Sequence, residues 1–214
     1  VRRSNGRWVH VLHADDVVLP GFYAAYRERI EAQDEPPVMV VGRSLFVDED
    51  ERVLHESPPV ITDEDRVVNP EVAIAAQHPF AFASVVVARS AYERLGGFDP
   101  ALVHANGWEM WARVAGTGRV VIVDRPLSLY RQHADSDTNR LRRSTAYLDD
   151  TLVAVDVITA RIDDRSLGDE LRRANRRRLG SLALSVARQA WREGDRANAA
   201  RNAWRGVRLR VVDR

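Results

Sequence analysis

The chain has 214 residues, 45% of them hydrophobic, enough to bury a real core and to exclude a disordered protein. Its 32 basic side chains are all Arg and 31 acids oppose them, so a net charge of +1 supplies no global field for nucleic acid or membrane. Cysteine is absent, which removes disulfides and thiolate metal sites and leaves carboxylate and imidazole as the metal ligands of note. No run is apolar for long enough to read as a transmembrane helix or a signal sequence. A cytoplasmic setting fits, with a peripheral place at the inner face of the membrane left open.

Taken in chain order, Asn5-Gly6 reads as a turn into a strand, the run from Trp8 to Asp16 that ends in the two acids Asp15-Asp16. Leu19-Pro20-Gly21 then opens a helix through Ile30. Residues 38–47 form a long strand, and the acidic turn Asp48–Glu51 returns it as a hairpin through Val53 and Leu54. Asn69-Pro70 starts a short helix to Ala76, Phe82–Ala88 reads as a further strand, and Ser90 caps a helix that Gly96-Gly97 ends. Trp108–Ala115 is a helix, and Arg119–Val123 a strand that Arg125-Pro126 stops.

From about residue 139 the chain contains no Pro and reads as helices. The apolar spacing at Leu148, Leu152, Val155 and Ile158, then Leu179, Leu182, Ala183, Val186 and Ala190, then Ala197, Ala200, Ala203, Trp204 and Val207, predicts a hairpin or small bundle, with Gly194-Asp195 between the last two helices. Two domains are therefore expected, 1–138 of α/β type and 139–214 as an all-helical extension. The Arg172–Arg178 cluster reads as a solvated face.

Paired carboxylates at a strand end can hold a divalent cation where open α/β sheets bind ligands. Asp15 is the best candidate ligand. His13 either binds metal or is a buried neutral imidazole; Asp16 reads as a helix cap. His133 either joins the site or lies in a polar surface loop. Asn106-Gly107-Trp108-Glu109 fits a capping box, with Asn106 as N-cap and Glu109 reaching back to it. Trp108 and Trp111 have two readings, sugar-stacking faces or core. A metal-dependent hydrolase built on Asp15, Asp16, His13 and His133 lacks the further His and Asp motifs such sites need.

Four segments in order carry a resemblance. They are Asn5–Asp16 with its sequel Leu19-Pro20-Gly21-Phe22, Leu95-Gly96-Gly97-Phe98-Asp99-Pro100, Trp108-Glu109-Met110-Trp111-Ala112-Arg113-Val114-Ala115, and Pro126-Leu127-Ser128-Leu129-Tyr130-Arg131-Gln132-His133. Together they resemble glycosyltransferase family 2, the inverting enzymes of GT-A fold, over residues 5–138 and only the second half of the catalytic domain. The resemblance implies a partial, Rossmann-like GT-A sheet with flanking helices, lacking the N-terminal strands of the nucleotide pocket. It also implies metal-dependent transfer of a sugar from a nucleotide-sugar donor to a hydroxyl acceptor, a sugar or lipid-linked sugar, with Mg or Mn as cofactor.

On this resemblance His13, Asp15 and His133 face the metal and the donor diphosphate, with Asp15 in the second acid position of the family's DxD element and His13 in the first. Phe98, Asp99, Trp108 and Trp111 lie on the acceptor side. The family's base position is Gly107 here, and Glu109 is the acid that survives beside it. Two residues of helix turn a side chain by about 200°, so Glu109 does not simply replace an acid at 107. The competing reading is a truncated, non-catalytic remnant or binding module, its helical tail open to a protein partner. No nucleic-acid partner is expected.

Overall fold

In the computed structural model, residues 1–58, 62–63, 66–67, 69–77, 80–133 and 145–211 are described. The chain is mixed α/β with a C-terminal helical stretch, and it divides into two compact units, Val1–Asp99 with Met110–His133, and Pro100–Glu109 with Ala134–Arg214. The domain boundary expected at 138/139 falls outside the described residues.

The first unit holds β1 (Trp8–His10), β2 (Val17–Val18), α1 (Phe22–Glu31), β3 (Met39–Val47), β4 (Val53–Glu56), β5 (Thr62–Asp63), β6 (Arg66–Val67), α2 (Pro70–Ala76), β7 (Val85–Ala88), α3 (Arg89–Leu95) and β8 (Val120–Arg131). Helix α4 (Asn106–Ala115) is divided between the units at Glu109/Met110. The strands form one mixed sheet in the order β1-β7-β3-β8-β6-β5, with β2 added to β8 and β4 to β3. Its spine is the parallel pair β3 and β8, in register from Met39↔Val120 to Val47↔Arg131. Antiparallel β7 joins β3 to β1.

Because side chains alternate along a strand, the Val-rich runs at 39–41, 85–87 and 120–123 bury both faces. One face presents Val40, Val86, Val121 and Val123 to Phe22 and Tyr26 of α1. Gly42 makes this possible, since a Cβ there would collide with the Tyr26 hydroxyl, which donates to Ser84 O at 2.8 Å. The sheet thus fixes α1 directly after the acid-bearing turn.

Several local expectations change. The first strand ends at His10, so the acids lie in the connection to β2. Phe82–Ser84 is a 3₁₀ turn before β7, and Ser90 is inside α3, whose N-cap is Ala88. Gly96, at φ +77°, does end that helix. Most consequential, Arg125-Pro126 does not stop β8. The register shifts on both sides of Arg43, opposite Pro126, and this irregularity tolerates a residue with no N–H to donate. The strand runs on to Arg131 and carries the Tyr130–His133 segment to the acids.

In the second unit, α5 (Ala146–Thr159), α6 (Arg165–Arg192) and α7 (Arg196–Val211) form the helical extension. Asp164 caps α6 by accepting from the amides of Ser166 and Leu167. Helices α6 and α7 cross where both are glycine: a Cβ on Gly180 would stand 2.9 Å from Gly206 O, and one on Gly206 2.8 Å from Gly180 O. This close approach turns α7 away from the expected packing. Asn198, Ala199, Asn202 and Gly206 are its buried residues, whereas the predicted apolar stripe with Trp204 and Val207 is exposed.

Residues 100–109 group with this unit. Asp150 of α5 explains part of this, because its carboxylate accepts from the amides of Val103, His104 and Ala105 at 2.8, 2.9 and 2.7 Å. Asn106 is accordingly the first helical residue of α4 rather than its N-cap, and Asp150 does the capping from elsewhere in the chain. The expected capping box is replaced by a tertiary one.

Candidate functional site

The connection between β1 and β2 gathers His13, Asp15 and Asp16, one ligand atom of each within 4.8 Å of the others. The placement follows from the sheet. Antiparallel pairing of Val17 with Leu129 and Val18 with Ser128 puts the residue before Val17 beside the end of β8. There the Arg131 amide donates to Asp16 Oδ1 at 3.2 Å, Arg131 Nε donates to the Asp15 carbonyl at 3.0 Å, and His133 Nε2 lies 3.2 Å from Asp15 Oδ2.

Asp16 differs from its neighbours in burial. Its side chain is 1% exposed, against 46% for His13 and 43% for Asp15. One oxygen meets the Arg131 amide, but Oδ2 is buried with no hydrogen-bond partner among the described residues, and His13 Nδ1 is 3.9 Å away. Burial, reinforced by the charge of Asp15, pushes the Asp16 carboxyl up to about 6 against the opposing Arg131 amide, His13 and the Arg131 guanidinium. A buried carboxylate oxygen without a partner is costly, and a bound cation would satisfy it.

These residues fit a divalent cation. The group that could hold it is His13, Asp15 and Asp16, two carboxylates supplying hard oxygen ligands and one imidazole a borderline nitrogen. His13 is not the buried imidazole that one sequence reading allowed: it is exposed and rests against Phe82, ring centroids 4.6 Å apart. The imidazole that packs inward is His10, half-buried and stacked on Phe22 at 5.0 Å, with burial lowering its pKa. Nor does Asp16 cap α1, whose N-cap is Gly21 at φ +88°.

No protein-family model matches this chain, and no curated protein matches it.

The remaining expected site residues are placed as follows. Phe98 and Asp99 are half-buried in the loop after α3, with Phe98 5.8 Å from Phe82 and 5.8 Å from Trp111, centroid to centroid. Trp111 in the first unit and Trp108 in the second are each 1% exposed, so neither offers an open ring face to a sugar. The amphipathic pattern of α4 turns both indoles inward, as the core reading had it. Glu109 is 2% exposed in the second unit, with Arg161 Nη2 3.8 Å from its Oε1, and Gly107 is buried there too.

Two residues of the site escaped sequence reasoning. Arg131 links three segments through the Asp15 and Glu49 carbonyls and a 2.7 Å contact with Glu51. Its signal was its place in the Tyr130–His133 segment. Phe82 sat in an assumed strand, and only the 3₁₀ turn turns its ring toward His13.

Proposed function

We propose that the first unit binds a divalent cation through Asp15, Asp16, His13 and His133, and that this is the diphosphate end of a GT-A-like sugar-transfer site. The observation that carries the reading is Oδ2 of Asp16, buried and without a hydrogen-bond partner among the described residues, in the His13–Asp15–Asp16 group. The order of the four segments resembling glycosyltransferase family 2 supports it, as does the convergence of the first and last of them at this point.

Bound there, the cation would supply charge neutralisation for a departing nucleoside diphosphate. Asp15 and Asp16 supply its carboxylate oxygens, and His13 and His133 present imidazole nitrogens on the exposed side. Arg131 holds the acid turn against the end of β8 through Asp15 and Asp16, so the ligands are positioned before anything binds. The reaction proposed is inverting transfer of a sugar from a nucleotide-sugar to a hydroxyl acceptor.

A second reading has its own observation. Glu109 is buried beside Arg161, and the position where the resembled family carries its base is Gly107. A chain without an accessible base would retain binding and lose the factor of about 10² to 10⁴ that general-base help provides. It would act as a binding module for the same ligand.

Titration with Mn²⁺ and uridine diphosphate, followed by calorimetry, tests the shared part. Binding of the nucleotide that requires Mn²⁺ and falls in Asp15→Asn and Asp16→Asn is the expected result. A folded chain that binds neither Mn²⁺ nor the nucleotide refutes both readings. Binding without hydrolysis or transfer of a donor sugar selects the module.

A further inference from the structure

The outward face of α7 is apolar where a helix of the second unit would be expected to be polar. At 100° per residue, Ala197, Ala200, Trp204, Val207 and Val211 fall within an arc of about 80°. That arc lies opposite the buried Asn198, Ala199, Asn202 and Gly206. Trp204, Val207 and Val211 are 62%, 54% and 58% exposed. Arg201 and Arg208 run along one border of the stripe and Arg196 and Arg210 along the other, Arg205 being paired with Asp149 of α5, and Arg196–Val211 contains no Asp or Glu. Arg208 lies over the Trp204 ring at 5.3 Å, so even the aromatic at the centre of the face carries a cation beside it.

We propose that this face of α7 docks on an anionic lipid surface, the helix lying in the plane of the interface. An apolar stripe centred on Trp and bordered on both sides by Arg is the composition that enters the headgroup region, with side chains below and guanidinium groups at the phosphates. The charge pattern favours this occupant over the others. A second copy meeting face to face would set Arg196, Arg201, Arg208 and Arg210 against the same four with no carboxylate on either helix. A nucleic acid would satisfy the arginines and leave Trp204, Val207 and Val211 against a polar backbone. With a net charge of +1 the whole chain has no field of its own, so attraction to an anionic surface has to come from a local cluster such as this one.

Co-sedimentation of the full chain with vesicles of phosphatidylcholine containing phosphatidylglycerol, in EDTA, tests the proposal independently of the metal site. The expected result is binding to these vesicles and none to pure phosphatidylcholine. Trp204→Ser and Val207→Ser should each weaken binding, roughly tenfold when combined. Arg201→Glu with Arg208→Glu should abolish it. Circular dichroism should be unchanged in all of them, because the altered side chains face outward. Absence of vesicle binding by the native chain overturns the proposal. Binding untouched by the Trp204 and Val207 changes also overturns it, as that is adsorption by charge alone. A native dimer that Trp204→Ser converts to monomer assigns the face to a second copy and overturns it as well.

Discussion

Two turns in this molecule stand in opposite relations to a carboxylate. At residues 103–105 the chain meets Asp150, whose oxygens accept three backbone amides, so the acid is fully engaged in holding the start of α4. At residues 13–16 the relation is reversed: Asp16 takes one amide, its other oxygen is buried without a hydrogen-bond partner among the described residues, and Asp15 and His13 crowd beside it. Acids at loop ends are common in both structural and functional roles. What separates the two is whether the backbone satisfies the oxygens or leaves one for a ligand.

The comparison is most exposed to failure at Asp150. Asp150→Ala removes an acceptor shared by three amides and should destabilise the second unit by roughly 3 kcal/mol, read as a shift of the helical unfolding transition in urea. A loss below about 1 kcal/mol would mean that water replaces the carboxylate at little cost, and that satisfied and unsatisfied acids are not distinguishable here. Next in size, Asp16→Asn and Asp15→Asn should each weaken Mn²⁺ binding at least about tenfold by electron paramagnetic resonance. The turn acid Asp50, which pairs with Arg52, serves as the control, and Asp50→Asn should leave binding unchanged.

Without metal, Asp16 should make the protein less stable as pH rises. Its carboxyl is raised to about 6 in the folded chain from 3.8, so the folded state holds the proton more tightly. The stability it contributes is fully present below 3.8 and is lost as pH climbs through about 6. Asp16→Asn should therefore be more stable than the native chain at pH 8 in EDTA by on the order of 1 kcal/mol, and equal to it near pH 3.5. Saturating Mn²⁺ should reverse the order at pH 8. Thermal melts over this range, with and without Mn²⁺, decide it. The smallest effect is expected at Phe82, where Phe82→Leu removes the ring against His13 and should lower Mn²⁺ affinity only about twofold, with the Asp16 pH dependence intact.

Much of this comparison was legible in outline. The apolar run before Asp15-Asp16 and the Tyr130–His133 segment were both marked from sequence, as were α1, the β3–β4 hairpin and the helical tail. Asp16 was given the wrong task because an acid shortly before Leu19-Pro20-Gly21 matches a capping pattern as well as a ligand one. Trp108 and Trp111 had two readings until α4 was oriented. Glu109 had two readings, a local capping box or the acid beside the base position, because Asp150, the actual cap, lies 45 and 46 residues beyond the amides of Ala105 and His104.

By itself the sequence determined the class of each long element. Runs of Val at alternating registers make strands, the Pro-free tail with helical spacing makes helices, and Gly96 and Gly194 end them, because these are properties of neighbouring residues. Tertiary structure alone decided which side chains meet. The continuation of β8 past Pro126 depends on an irregularity opposite Arg43, and that continuation brings Arg131 and His133 to the acids. The Gly180–Gly206 crossing likewise decided that α7 buries its Asn and small residues and leaves Trp204 outside. Both outcomes rest on contacts between residues far apart in the chain, whose backbone groups and close approaches no local pattern encodes.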